Sequence, residues 1–174
     1  MTILKSVLLI SAFALLSGCA GPTLDHYKGS KPDLDLKEYF SGPIKAWGLI
    51  QNRFGKVTRR FEIDMNGTWD GDTGTLDEHY EYSDGVKEHS VWTIKKVSEN
   101  NYEGYADDLV NKAVGLTEES DVKWSYIMDV DVGKKTYSIS FDDRMYLMNN
   151  GVVINRSYLK KFGFRVAELT IFMQ

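Results

Sequence analysis

Between residues 57 and 69 the chain alternates without a break. Val57, Arg59, Phe61, Ile63, Met65, Gly67 and Trp69 fall on one side, and Thr58, Arg60, Glu62, Asp64, Asn66 and Thr68 on the other. A period of two over so long a run specifies a β-strand with one dry and one wet face, well beyond the ~5–6 residue norm. Residues 123–132 repeat the pattern, with Trp124, Tyr126, Met128, Val130 and Val132 against Lys123, Ser125, Asp129 and Asp131. Long consecutive strands joined by short turns close into an up-and-down barrel more readily than they stack as a sandwich of short strands. An aromatic content of 13% and only three prolines suit such a fold. The expectation is therefore all-β: a single antiparallel up-and-down barrel of eight or nine strands, lipocalin-like in architecture. Its exterior is expected to be wet. Trp, Tyr and Met crowd the apolar sets, the turns are short at both ends, and the polar sets carry mixed charges, unlike the outward apolar band of a membrane barrel.

Turn residues set the registers. Around Ser83, Asp84 and Gly85, a three-residue loop with Gly85 left-handed pairs Tyr80 with Glu88, Glu78 with Ser90 and Leu76 with Trp92, which keeps Trp92 on the apolar face. Asn150-Gly151 reads as a two-residue type I′ turn, because both central positions of that turn need φ > 0. It pairs Leu147 with Ile154, Met145 with Arg156 and Asp143 with Tyr158, and so places Asp143 and Arg156 together on an otherwise apolar inner face. Residues 102–107 form a further strand lined by Gly104 and Ala106. Residues 108–115 read as a short helix or a bulged strand.

The N-terminus has its own signature. Lys5 precedes an uncharged apolar run over residues 6–16, followed by Leu16-Ser17-Gly18-Cys19. A basic start, an apolar stretch too short to span as a stable helix, and small residues before a cysteine form a bacterial lipoprotein signal. Residues 1–18 are the expected signal peptide, 19–42 a lipidated tether and 43–174 the barrel domain. Cys19 is the only cysteine, which excludes an intrachain disulfide and suits lipidation. At about 0.8 kcal/mol per buried CH₂, a diacylglyceryl group plus an N-terminal palmitate holds the chain to a membrane effectively for good. Ala20 after the cysteine favours the outer membrane, on its periplasmic face. A net charge of −4 argues against a nucleic-acid partner and against adhesion to anionic lipid by charge.

Several fragments also carry a family pattern. Gly42-Pro-Ile-Lys-Ala-Trp-Gly48, Arg53-Phe-Gly55, Tyr102-Glu-Gly104 with Ala106-Asp-Asp108, Phe141-Asp-Asp143 with Met145-Tyr-Leu147, Asn155-Arg156-Ser157 and Lys161-Phe-Gly163 together resemble the lipoprotein family called domain of unknown function 3833. The resemblance runs from about Tyr39 to the C-terminus. It implies a Gram-negative periplasmic lipoprotein of undetermined function.

The interior decides what such a barrel does. Lined by Phe61, Ile63, Met65, Tyr80, Trp92, Trp124, Tyr126 and Met128, it is either a greasy cavity or a packed core. The leading expectation is a cavity for an apolar or amphipathic ligand, a lipid or fatty acid. Arg156 serves as its polar end, Asp143 orients the guanidinium, and Glu78, Trp92, Trp124 and Tyr126 line the rest. Against this stands a structural ion pair between Asp143 and Arg156 in a filled barrel that acts as a structural or interaction lipoprotein of the envelope. An enzyme acting on lipids ranks third. Ser90, Ser140 and Ser157 have no histidine on their face, and no pair of carboxylates stands out for acid–base work. Glu78 is a buried charge with Arg53 and Arg59 as candidate partners. His79 and His89 fall opposite each other on the outer face, and two imidazoles without a third ligand do not make a metal site. No metal or cofactor is expected, and no protein partner is identified.

Overall fold

A computed structural model describes residues 31–118 and 121–174. The expected signal peptide, Cys19 and most of the expected tether lie outside the described residues. Ten antiparallel strands form one closed barrel. They are β1 (Gly42–Asn52), β2 (Val57–Asp70), β3 (Thr73–Tyr82), β4 (Lys87–Ser98), β5 (Asn101–Tyr105), β6 (Ala113–Glu118), β7 (Asp121–Val132), β8 (Lys135–Leu147), β9 (Val153–Lys161) and β10 (Phe164–Met173). Every strand pairs with its sequence neighbours, and β10 pairs with β1 to close the wall. The barrel and its up-and-down order agree with the sequence; the strand number is ten rather than eight or nine.

The uncounted strand is β6. Its inward positions are Ala113 and Gly115, and its larger residues Val114 and Leu116 face out, the reverse of the usual alternation. Gly115 stands opposite Trp124 on β7, and a Cβ there would sit 2.8 Å from the indole. The ring occupies the space that a side chain on β6 would fill. Of the stretch 108–115 expected as a short helix or bulged strand, residues 108–112 are a loop that touches the sheet through the single bridge of Leu109 to Met128, and the strand begins at Ala113.

The outer wall faces water. Lys45 pairs with Glu62 and Asp64, Lys87 with Glu81, and Arg156 with Glu168. Such charges suit solvent and not acyl chains.

One end of the barrel is closed by α1 (Leu36–Tyr39), capped by the Asp35 carboxylate, which accepts from the Glu38 N–H. Leu34, Leu36 and Phe40 are buried against the core, so the packed domain reaches back into the segment expected to be tether. The plug is pinned from several sides. The Trp69 indole N–H donates to the Phe40 carbonyl at 3.0 Å, and the Tyr39 hydroxyl donates to the Met173 carbonyl at 2.7 Å. Gly67 on β2 makes room: a Cβ there would overlap the Phe40 carbonyl oxygen. Among the described residues, the opposite end, where the β1–β2, β3–β4, β5–β6, β7–β8 and β9–β10 loops gather, carries no such plug.

Candidate ligand-binding site

Inside the wall lies a cavity of about 740 Å³, within the ~300–1,000 Å³ range of small-molecule sites. Its walls are apolar, with Phe61, Ile63 and Met65 from β2, Trp92 from β4 and Trp124 from β7, and Phe40 and Met173 lie toward the plugged end. Of the acidic residues in its lining, Glu78 and Asp143 are buried.

Glu78 comes from β3. The loop at residues 83–85 pairs Tyr82 with Val86 and sets Glu78 opposite Ser90, between the inward residues Leu76 and Tyr80. The Tyr80 hydroxyl donates to Glu78 Oε2 at 2.7 Å. Burial pushes the Glu78 carboxyl up to about 7; the Tyr80 hydrogen bond offsets part of this, and the charges of Asp108 and Asp77 add to it.

Asp143 comes from β8, directly across from Ser157 on β9 and Trp124 on β7. The Tyr126 hydroxyl donates to Asp143 Oδ2 at 3.0 Å. Burial raises this carboxyl to about 6, against the lowering influence of neighbouring Ser157, Tyr126 and Asn155. Ser157 and Asn155 lie beside the carboxylate, where a hydroxyl and an amide N–H can turn toward it, while Asp143 Oδ1, Asn155 Oδ1 and Ser157 Oγ are buried without a close, well-aligned hydrogen bond. Three oxygens thus meet in one part of the barrel, and the Ser157 hydroxyl can donate as well as accept. The Tyr126 ring stacks on Phe141 at 4.9 Å and meets the Trp92 edge at 5.5 Å, which fixes the hydroxyl toward Asp143.

At the unplugged end Arg59 lies 3.3 Å over the Tyr82 ring and bonds Asp84 through Nε and Nη2 at 3.0 and 3.1 Å. The Tyr82 hydroxyl donates to Glu88 at 2.9 Å. Arg59 is therefore held at the rim, and Glu78 takes Tyr80 as its partner in place of the arginines expected from sequence.

Residues 13–174 match the family described as "Protein of unknown function (DUF3833)". The chain belongs to the DUF3833 family. No curated protein matches it. Among solved structures, an S-type phycobiliprotein lyase, CPES, from Guillardia theta is similar in fold, with a TM-score of 0.56 at 8% identity over 87% of this chain and 96% of that one. At such identity the likeness is one of architecture, and it bears out the lipocalin-like barrel.

In this DUF3833 barrel, the sequence-expected residues Glu78, Asp143, Trp92, Trp124 and Tyr126 all line this same cavity. Arg156 does not. It is half exposed on the outer wall, where its Nε donates to Glu168 at 2.6 Å and its guanidinium lies over Tyr158. The reason is a one-residue difference in the β8–β9 loop. Met148 and Val152 close a three-residue loop, Gly151 alone has positive φ, and Asp143 pairs with Ser157. A slip of one residue exchanges the faces of a strand, so Val153, Asn155 and Ser157 point inward while Ile154, Arg156 and Tyr158 point outward. The interior keeps the smaller neutral groups, and the guanidinium stays in water, where it need not be desolvated. The Asp143–Arg156 pair, whether headgroup clamp or core ion pair, is thereby corrected. Asn155 is the cavity residue that sequence reasoning missed, and Ser157 is buried opposite Asp143.

Outside the cavity, His79 and His89 face each other across β3 and β4 as expected, with rings stacked at 4.5 Å. A third donor joins them: Asp77 Oδ1 lies 2.7 Å from His89 Nε2 and 3.2 Å from His79 Nε2. Among the described residues this is the group whose donor atoms are close enough to share a metal ion. The two-residue spacing of Asp77 and His79, which puts both on one face, was the available signal.

Proposed function

We propose that the protein is a lipid-anchored periplasmic carrier. Its barrel holds an apolar or amphipathic ligand whose polar end donates hydrogen bonds to Asp143 and Asn155. One observation carries this reading: the interior is unfilled, its buried charged groups are the carboxyls Glu78 and Asp143, and the arginine in its lining, Arg59, is held at the rim by Asp84. Such a surface favours a hydroxyl, amide or amine over a carboxylate. Glu78 and Asp143 both lose charge as pH falls, so a fatty acid fits only where the carboxyls are protonated. The packed-barrel alternative needs an interior filled by the Trp and Tyr rings, and these stand against the wall around open space.

Anchoring rests on the Leu16-Ser17-Gly18-Cys19 signal. Cys19→Ser is expected to move the protein from outer-membrane fractions into the soluble periplasm or to leave it uncleaved; unchanged retention in the outer membrane would overturn the anchor.

Native mass spectrometry of the purified protein is expected to reveal a co-purified apolar mass. Displacement of the fluorescent probe N-phenyl-1-naphthylamine then ranks ligands. A monoacylglycerol should displace it at pH 8, whereas a fatty acid of equal chain length should do so well only near pH 5. No probe binding at either pH, with the barrel folded, would end the carrier reading.

A further inference from the structure

The five loops at the unplugged end form a rim, and the rim is divided. Three neighbouring loops, β1–β2, β9–β10 and β7–β8, follow one another around the barrel because β1 pairs β10, β10 pairs β9, and β9 pairs β8. The first carries Phe54 (79% exposed), and the second carries Phe162 and Phe164 (88% and 76% exposed). Val132, also exposed, stands at the third. Singly exposed apolar residues are ordinary, but three phenylalanines this bare on adjacent loop tips form a surface with nothing to pack on.

Cations accompany them. Arg53, Lys56, Lys134, Lys135 and Arg165 are exposed on the same arc, with Lys161 beside them. The Arg53 guanidinium lies 4.7 Å from the Phe54 ring centroid, and Lys161 Nζ lies 5.0 Å from that of Phe162. Glu168, between Arg156 and Arg165, and Asp131, which takes the Thr136 hydroxyl, are the acids nearest this arc on the outer wall. The remaining two loops are net acidic, with Asp84, Glu88, Asp107 and Asp108 there against Lys87 and Lys112. In a chain of net charge −4, this concentration of cations with bare aromatics is local and one-sided.

From this arrangement we infer that the basic, aromatic arc of the rim docks on an anionic phospholipid bilayer. The Phe54, Phe162 and Phe164 rings enter the headgroup–acyl boundary while the flanking Lys and Arg meet lipid phosphates. Rings that sit at this depth and cations that stay at the surface are the two halves of interfacial binding. The acidic arc is repelled by the same surface, so the barrel leans, with its basic edge down and the mouth open toward the lipid. That pose sets the cavity entrance where an amphipathic ligand leaves or enters a leaflet. The rim docks whether or not the cavity carries cargo.

Site-specific fluorescence tests this. In the full chain with Cys19→Ser, a single cysteine is placed at the rim by Phe54→Cys or Phe164→Cys, or at the plugged end by Glu99→Cys, and labelled with an NBD dye. An unchanged thermal unfolding midpoint certifies each variant. On vesicles of phosphatidylcholine with phosphatidylglycerol, the rim labels should brighten, shift to the blue and be quenched by brominated acyl chains, while the Glu99 label stays dark. Vesicles of phosphatidylcholine alone should give little response. Adding Lys134→Glu and Lys135→Glu should weaken the rim response about tenfold or more. Rim labels that stay dark on anionic vesicles would overturn the inference and point to a protein partner for the aromatic arc. Equal brightening at Glu99 would overturn it as well, because the orientation would then come from elsewhere in the chain.

Discussion

Glu78 and Asp143 show how a single carboxyl senses the space around it. Each is raised by burial above its ordinary value, from 4.5 to about 7 for Glu78 and from 3.8 to about 6 for Asp143. The sign of the pH dependence follows from linkage. As pH rises from about 4 to 7, the unfolded chain releases these protons first, so the folded state holds more protons and loses stability. The contribution is fully present below the unfolded values and gone above about 7. Chemical denaturation between pH 4 and 8 is expected to show this decline, on the order of 2–3 kcal/mol for Glu78. Glu78→Gln should remove about half of the combined decline and leave the Asp143 share, and a decline of unchanged slope in that variant would assign the effect elsewhere. Arg156 makes the contrast. Half exposed and paired with Glu168, it should tolerate Arg156→Met at a cost within about 1 kcal/mol. A double-mutant cycle with Asp143→Leu should give a coupling near zero, since the two side chains point to opposite faces of the wall. Strong loss with rescue in that cycle would return Arg156 to the interior.

At the scale of elements, loops decide which side chains enter the barrel. The β1–β2, β3–β4 and β8–β9 connections are all three-residue loops ending in a left-handed glycine: Gly55, Gly85 and Gly151. For Gly85 the sequence already discriminated, because the alternative register would have turned Trp92 outward. For Gly151 it did not. Over residues 152–159 both alternating sets are mixed, so periodicity could not choose between a two- and a three-residue loop. Gly151→Val is expected to cost about 1–2 kcal/mol, because φ is +82° there. Asn150→Ala should cost less, because Asn150 has negative φ, whereas a type I′ turn would have strained both positions. Unfolding midpoints of the two variants decide the turn type. A parallel test concerns the plug. Gly67→Ala should drive the Phe40 carbonyl off β2 and cost about 1–3 kcal/mol, read as a lowered midpoint.

Among the described residues the barrel is a wall with one end stopped and the other unplugged, and its stability should report what it holds. A ligand that binds only the folded barrel at 100 times its Kd adds about 2.7 kcal/mol. Delipidated protein should therefore melt earlier than protein as purified, and re-addition of the extracted lipid should restore the midpoint. Identical midpoints before and after extraction would mean that the cavity carries no stabilising cargo.

The sequence by itself determined the β class, the closed up-and-down order and the dry faces of β2, β3, β4 and β7, because a period of two needs only local pleating to sort side chains. It also marked Glu78, Asp143, Trp92, Trp124 and Tyr126 as inward. Tertiary structure alone decided three things. It made β6 a strand, because the space inside Gly115 belongs to Trp124 from its neighbour. It turned Arg156 out and Asn155 and Ser157 in, because desolvating a guanidinium is dearer than burying an amide and a hydroxyl. And it left the barrel hollow, because ring size does not reveal whether aromatic side chains lie along a wall or meet at its axis; closure and the plug at Phe40 set that distance.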